Sequence, residues 1–138
     1  RAGRRINERQ PASGSTALST AAFHDRIDIA NLLIRRGAKV ETTNRDGNTP
    51  LLVAAFMCRR KMVQLLLEKG ASPLTKNGRG ETSIDVVSSP WTKQLADIYT
   101  GIDNVVPEFK FNLERIERER PQMADLLRNH VEQAKTEK

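Results

Sequence analysis

Apolar residues recur along the chain at helical spacing, and the short helices they mark come in pairs. In the clearest stretch, Leu51, Ala54 and Ala55 fall at i, i+3, i+4 on one face. Thr49-Pro50 starts that helix, because Thr offers an N-cap oxygen and Pro tolerates the first helical position, where its missing N–H would have no partner anyway. The paired alanines are small and let a second helix approach closely. That second helix carries Met62, Val63, Leu65, Leu66 and Leu67, a wide stripe buried on both sides, and Gly70 stops it in the left-handed conformation. Before the pair, Asn44-Arg45-Asp46-Gly47 predicts a hairpin turn, with Asp-Gly supplying the positive φ angles.

The pattern repeats. Gly14-Ser15-Thr16-Ala17-Leu18 aligns with Gly47-Asn48-Thr49-Pro50-Leu51 and with Gly80-Glu81-Thr82-Ser83-Ile84, each step being 33 residues. Ile29-Ala30-Asn31-Leu32-Leu33, Met62-Val63-Gln64-Leu65-Leu66 and Leu95-Ala96-Asp97-Ile98-Tyr99 keep the same period, as do Gly37-Ala38 and Gly70-Ala71.

A 33-residue period with Asp46-Gly47-Asn48-Thr49-Pro50-Leu51-Leu52-Val53-Ala54-Ala55 in its middle unit resembles the ankyrin-repeat family. Leu52 and Ser19 stand where that family usually has His. The resemblance spans about residues 3–103 and implies an all-α solenoid of stacked helix-turn-helix units joined by β-hairpin loops. The expected organisation is the tail of a preceding unit at 1–12, units at 13–45, 46–78 and 79–104, and C-terminal capping helices with a polar tail at 105–138.

Both ends depart from the repeat. Gly3-Arg4-Arg5-Ile6-Asn7 is comparable to Gly37-Ala38-Lys39-Val40-Glu41, so an earlier helix pair or a different cap is expected upstream, and Arg1 in place of Met reads as the start of a trimmed piece. In the third unit Val87 and Ser88 replace the paired alanines, Ser89-Pro90 cuts the first helix short, and no Gly-Ala follows Tyr99. The second-helix pattern returns as Met123-Ala124-Asp125-Leu126-Leu127. With Asn112 capping a short helix through Leu113 and Ile116, and Pro121 opening another, residues 105–131 read as a helical hairpin, with fraying expected from about Glu132.

Composition narrows the function. With 38% hydrophobic residues, 8 Gly and 6 Pro in 138, the chain is neither disordered nor collagen-like. No window is apolar enough to span a membrane. The one cysteine excludes an internal disulfide framework, and two histidines leave little for a metal site. Cytosol fits the unpaired cysteine, and so does an exported protein with its signal removed. Residues 1–80 hold 15 Lys/Arg against 6 Asp/Glu, a charge of +9, while residues 81–138 stand at −3. A basic half can steer nucleic acid or an anionic surface, or simply be a set of solvated helix faces.

Catalytic motifs are missing: there is no G-x-S-x-G, P-loop, H-E-x-x-H or C-x-x-C. Cys58 lies beside Arg59 and Arg60, cations that can lower a thiol pKa. With His24 on the adjacent loop it makes a conceivable Cys–His pair, against the plainer reading of a loop cysteine and a surface histidine. Arg59-Arg60-Lys61 suits a phosphate, an acidic side chain or a solvated loop. No enzyme, cofactor or metal is expected, and a monomer is.

The family resemblance implies a protein partner held by the hairpin tips and the concave face of the first helices. Those positions are Ser13, Ser15, Phe23 and His24, then Arg45, Asp46, Asn48, Phe56 and Met57, then Arg79 and Glu81. Phe23 and Phe56, 33 apart, predict a side-by-side hydrophobic strip, unless the C-terminal helices fold over it. Trp91 reads as a residue that packs the cap.

Overall fold

The computed structural model describes residues 5–136, and Gly3 and Arg4 of the expected upstream tail lie outside them. The helices are α1 (Ala17–Phe23), α2 (Ile27–Arg35), α3 (Pro50–Phe56), α4 (Arg60–Glu68), α5 (Ser83–Ser88), α6 (Lys93–Val105) and α7 (Leu113–Thr136), with a 3-10 turn at Pro107–Phe109 before α7. No strand occurs among the described residues. Helix α1 packs on α2 and α3, α3 on α4 and α5, and α2 on α4, which is a two-layer stack of helix pairs.

The repeat is visible bond by bond. Thr16, Thr49 and Thr82 each cap a first helix by accepting a backbone N–H three residues on, at 3.3, 3.2 and 3.2 Å. Asp85 completes a capping box on Thr82. The loop from first to second helix has three residues, and its middle residue is left-handed: Asp25 at φ 57° and Cys58 at φ 56°. Asn44 and Asn77 fold the hairpin tips, each side-chain carbonyl accepting the N–H groups two and four residues on. Only Gly47 of the Asp46-Gly47 pair takes positive φ, at 81°, so the expected double positive-φ turn is replaced by a tip with a single left-handed residue. Neighbouring tips touch, the Gly78 N–H donating to the Asp46 carbonyl at 2.9 Å. At the other end Asn7 Oδ1 accepts the Lys39 N–H at 2.8 Å, as the Glu41 carboxylate accepts Ser72 N–H at 3.0 Å. A side chain before each unit thus accepts a backbone N–H of the loop that follows a second helix. Ile29 is 43% exposed while its counterpart Met62, covered by α2, is fully buried.

The third unit differs from expectation in three ways. The segment aligned as its second helix, Leu95 to Tyr99, lies in α6, but the helix packed along α5 is α7. Met123, Ala124 and Leu127 join the core of Leu51, Ala54, Ala55, Met62, Val63 and Leu66. The returned second-helix pattern thus takes the second-helix place, and residues 91–112 are an excursion. The cause is local: Ser89 is extended (φ −68°, ψ 150°) before Pro90, where the earlier units still have the helical Phe23 and Phe56. Trp91 does not take the left-handed conformation with which Asp25 and Cys58 turn the chain back. Next, Pro121 does not open a helix but lies inside the single α7, so the expected hairpin is one rod, entered through Asn112 Oδ1 accepting Arg115 N–H at 3.1 Å. Finally, the helix runs on to Thr136 rather than fraying from Glu132, and the expected boundary at 104/105 falls inside the end of α6.

Two substitutions test this backbone. Asp25→Gly, at an exposed left-handed position, is expected to stabilise the fold by about 1 kcal/mol in urea unfolding. Gly47→Ala is expected to cost about 2 kcal/mol or more, because its Cβ would lie 2.6 Å from the Gly78 nitrogen.

Candidate functional site

The hairpin tips and the concave ends of α1, α3 and α5 stand on one side of the stack, and α6 crosses in front of them. Between lies a cleft of about 490 Å³. Seven residues expected from the sequence line it: Phe23, Asp46, Asn48, Phe56, Met57, Arg79 and Glu81. Leu95, Ile98 and Ile102 of α6 form the facing wall. The rim is partly organised already, since Asn77 Nδ2 donates to Asn48 Oδ1 at 3.0 Å and to Glu81 Oε1 at 3.2 Å. Asp46 and Arg79 are exposed and free of ion pairs among the described residues, and Ile98 is 51% exposed.

His24, Arg45, Ser13 and Ser15 lie outside the cleft. Arg45 donates to the Pro11 carbonyl, and its N–H to the Ser13 carbonyl at 3.1 Å, which ties one tip to the next. Ser13 Oγ accepts the Ser15 N–H at 3.1 Å. Met57 corrects the sequence reading: it is 3% exposed and belongs to the floor, not to a presented surface.

The two phenylalanines do not form a free strip. Phe56 stacks on Tyr99 of α6 at 4.7 Å between centroids, whereas Phe23 packs against His24 and Phe109 at 5.2 and 5.3 Å. The excursion holds itself in place through this aromatic cover. Tyr99 is fully buried, its hydroxyl donating to the Phe56 carbonyl and accepting from Arg120 Nη1 at 3.3 Å. Burial pushes its phenol well above the ordinary range. Trp91 stacks on the other side of Tyr99 at 6.0 Å, in line with its expected packing role. Arg59 lies over the Phe109 ring at 4.6 Å and donates to the Phe23 carbonyl at 3.2 Å. Desolvation lowers its pKa, so this member of the basic run is a structural cation. Asp103 closes the excursion by accepting the Phe111 N–H at 2.9 Å.

Cys58 departs from expectation as well. It is 8% exposed, and burial raises its pKa from 9.0 to about 11, outweighing the lowering effect of Arg120, Arg115 and Arg59. His24 packs on Phe23 and Phe109, both aromatic partners. Sequence reasoning missed Tyr99, Phe109, Phe111 and Arg120. The only local signal was Ser89-Pro90, which marked the break without saying where the chain would go.

No curated protein matches the chain. The family model described as ankyrin repeats (3 copies) matches residues 2–77, more than half of it. The chain belongs to the ankyrin-repeat family, whose members are generally protein–protein interaction modules and typically not enzymes. The match ends before the third unit, where the structure leaves the repeat. No helix among the described residues is long and apolar enough to cross a membrane.

The thiol chemistry has a direct check. At pH 8 the Cys58 thiolate fraction is expected to be about 100-fold below that of a free thiol with a pKa of 9.0, with iodoacetamide alkylation slowed at least as much. Because the folded state favours the neutral thiol, this group's contribution to stability is present below pH 9.0 and lost as pH rises toward about 11.

Proposed function

We propose that the chain is a non-enzymatic scaffold that holds a protein partner in the cleft between the hairpin tips and α6, with α7 closing the stack at its C-terminal end. The observation that carries this reading is the convergence of Asp46, Asn48, Arg79 and Glu81 on one cleft with the exposed Ile98. A loop or extended segment of the partner fits it, with an apolar side chain seated against Leu95, Ile98 and Val53. Its polar flanks meet Asp46 and Glu81 on one hand and Arg79 on the other. The ring faces of Phe23 and Phe56 are taken by Phe109 and Tyr99, so they support the floor from behind while α6 is docked. His24 and Arg45 lie outside this cleft and contribute no contact within it. Arg9, Arg45 and Arg59 are engaged with Thr43, Pro11 and Phe23, which leaves fewer free cations in the basic half for an electrostatic partner.

Affinity capture from the native lysate, with the wild-type chain beside Arg79→Glu and Ile98→Asp, tests the site. Both residues are exposed, so both variants are expected to melt with the wild type. Each is expected to weaken the captured protein at least about tenfold when its affinity is then measured. Unchanged affinity in both variants overturns the site. Capture of nucleic acid, with binding that falls steeply with salt, overturns the class of partner.

A further inference from the structure

The loop that diverts the chain out of α5 carries chemistry that the scaffold reading does not use. Ser89 is exposed, extended (φ −68°, ψ 150°) and followed by Pro90. Its Oγ lies 2.9 Å from Nη2 of Arg120, and the same nitrogen donates to the Ser89 carbonyl at 3.2 Å. Arg120 is only 2% exposed, and its remaining hydrogen bond goes to the Tyr99 hydroxyl. Among the described residues it has no carboxylate within ion-pair distance. A buried guanidinium satisfied only by neutral oxygens has lost its hydration without gaining a counter-charge. Beside it opens a pocket of about 370 Å³, lined by Ser88, Ser89, Glu117, Arg120, Asp125 and Arg128. Arg128 reaches Ser88 Oγ at 2.9 Å and Asp125 at 3.5 Å, the latter an exposed pair that is worth little and easily exchanged.

We propose that Ser89 is a phosphorylation site whose phosphoryl group is received by Arg120 and Arg128. Two serines in the chain are followed by proline, Ser72 and Ser89. Ser72 is half-buried ahead of a buried Pro73, whereas Ser89 and Pro90 are both exposed. The extended backbone of Ser89 is the form in which a proline-directed protein kinase reads Ser-Pro. In the transfer, Ser89 Oγ attacks the γ-phosphorus of a nucleoside triphosphate and the bond from that phosphorus to the β-phosphate oxygen breaks. The nucleoside diphosphate leaves, and the hydroxyl proton passes to the kinase's base. The new dianion then sits against the end of a guanidinium that already points at its bridging oxygen. It supplies the missing counter-charge and makes a charge-assisted, two-pronged contact. Glu117 and Asp125 oppose it, but both are exposed and screened, while Arg120 is not.

The test uses the full chain with phosphoserine genetically encoded at position 89, beside the unmodified chain and a phosphorylated peptide of residues 84–94. In the peptide the second phosphate ionisation, followed by ³¹P NMR, falls near pH 6. In the folded chain it is expected about 1 unit lower, with a melting temperature about 3 °C higher than that of the unmodified protein. Arg128→Gln is expected to return part of the ³¹P shift without changing the melting of the unmodified chain. A titration equal to the peptide's, or a lowered melting temperature, overturns the pocket as a phosphoryl site. In a second arm the folded chain is treated with a proline-directed kinase and ATP. Phosphate mapped to Ser89 supports the proposal, and phosphate elsewhere or none overturns Ser89 as the modified residue.

Discussion

How the chain leaves α5 governs everything after it. In the first two units a left-handed residue, Asp25 or Cys58, folds the chain back within three residues, so the second helix runs beside the first. In the third unit the helix already stops at Ser89, in register with the last helical residues Phe23 and Phe56, because Pro90 disfavours the helical conformation for the residue before it. Trp91, in register with Asp25 and Cys58, is not left-handed. The chain is sent outward. Helix α6 therefore cannot pack on α5, and the apolar face of α5 is left for another helix. Helix α7 fills it with Met123, Ala124 and Leu127, and the stack is completed with a segment 28 residues further along the chain than the period would place it.

The excursion that results is not a free loop. Tyr99 lies at its centre, fully buried between Phe56, Trp91 and Phe111, with its hydroxyl linking the Phe56 carbonyl to Arg120. One side chain thereby joins three parts of the molecule: the concave end of α3, the α6 cover and the α7 rod. The apolar surface under α6 is small, since Tyr99 is its one buried residue, and aromatic stacking with a few buried polar contacts holds the helix down. The same geometry divides the concave face. Its aromatic floor is occupied from within, and its polar tips and the exposed side of α6 are left for a partner.

The candidate site was legible as positions and not as surfaces. The 33-residue register placed Asp46, Asn48, Phe56, Arg79 and Glu81 at the mouth of a common cleft, because hairpin tips in a stack recur with the period. The same register gave Phe23 and Phe56 equivalent places but could not give them exposure, which depends on Tyr99 and Phe109 arriving from 43 and 86 residues away. Met57 read as a residue presented to a partner, and Cys58 as a loop residue beside cations. Both are buried, Cys58 in a cluster with Tyr99 of the excursion and Ile116 of α7, and burial rather than the neighbouring arginines sets the state of the thiol.

By itself the sequence determined the repeating part of the protein: the Thr caps, the Asn-built tips, the paired alanines and the second helices through Glu68. These elements rest on contacts within one unit or with its neighbour, so a local pattern repeated at a fixed spacing specifies them. Tertiary structure alone decided which later segment completes the third unit, and that Pro121 lies within a helix. It also decided that Arg120 is buried against Ser89 and Tyr99 and that the concave face is half covered. Each of these depends on two apolar segments competing for one groove, Leu95–Tyr99 against Met123–Leu127. The competition is settled by the direction in which Ser89 and Pro90 release the chain, a property of backbone geometry that no count of hydrophobic positions contains.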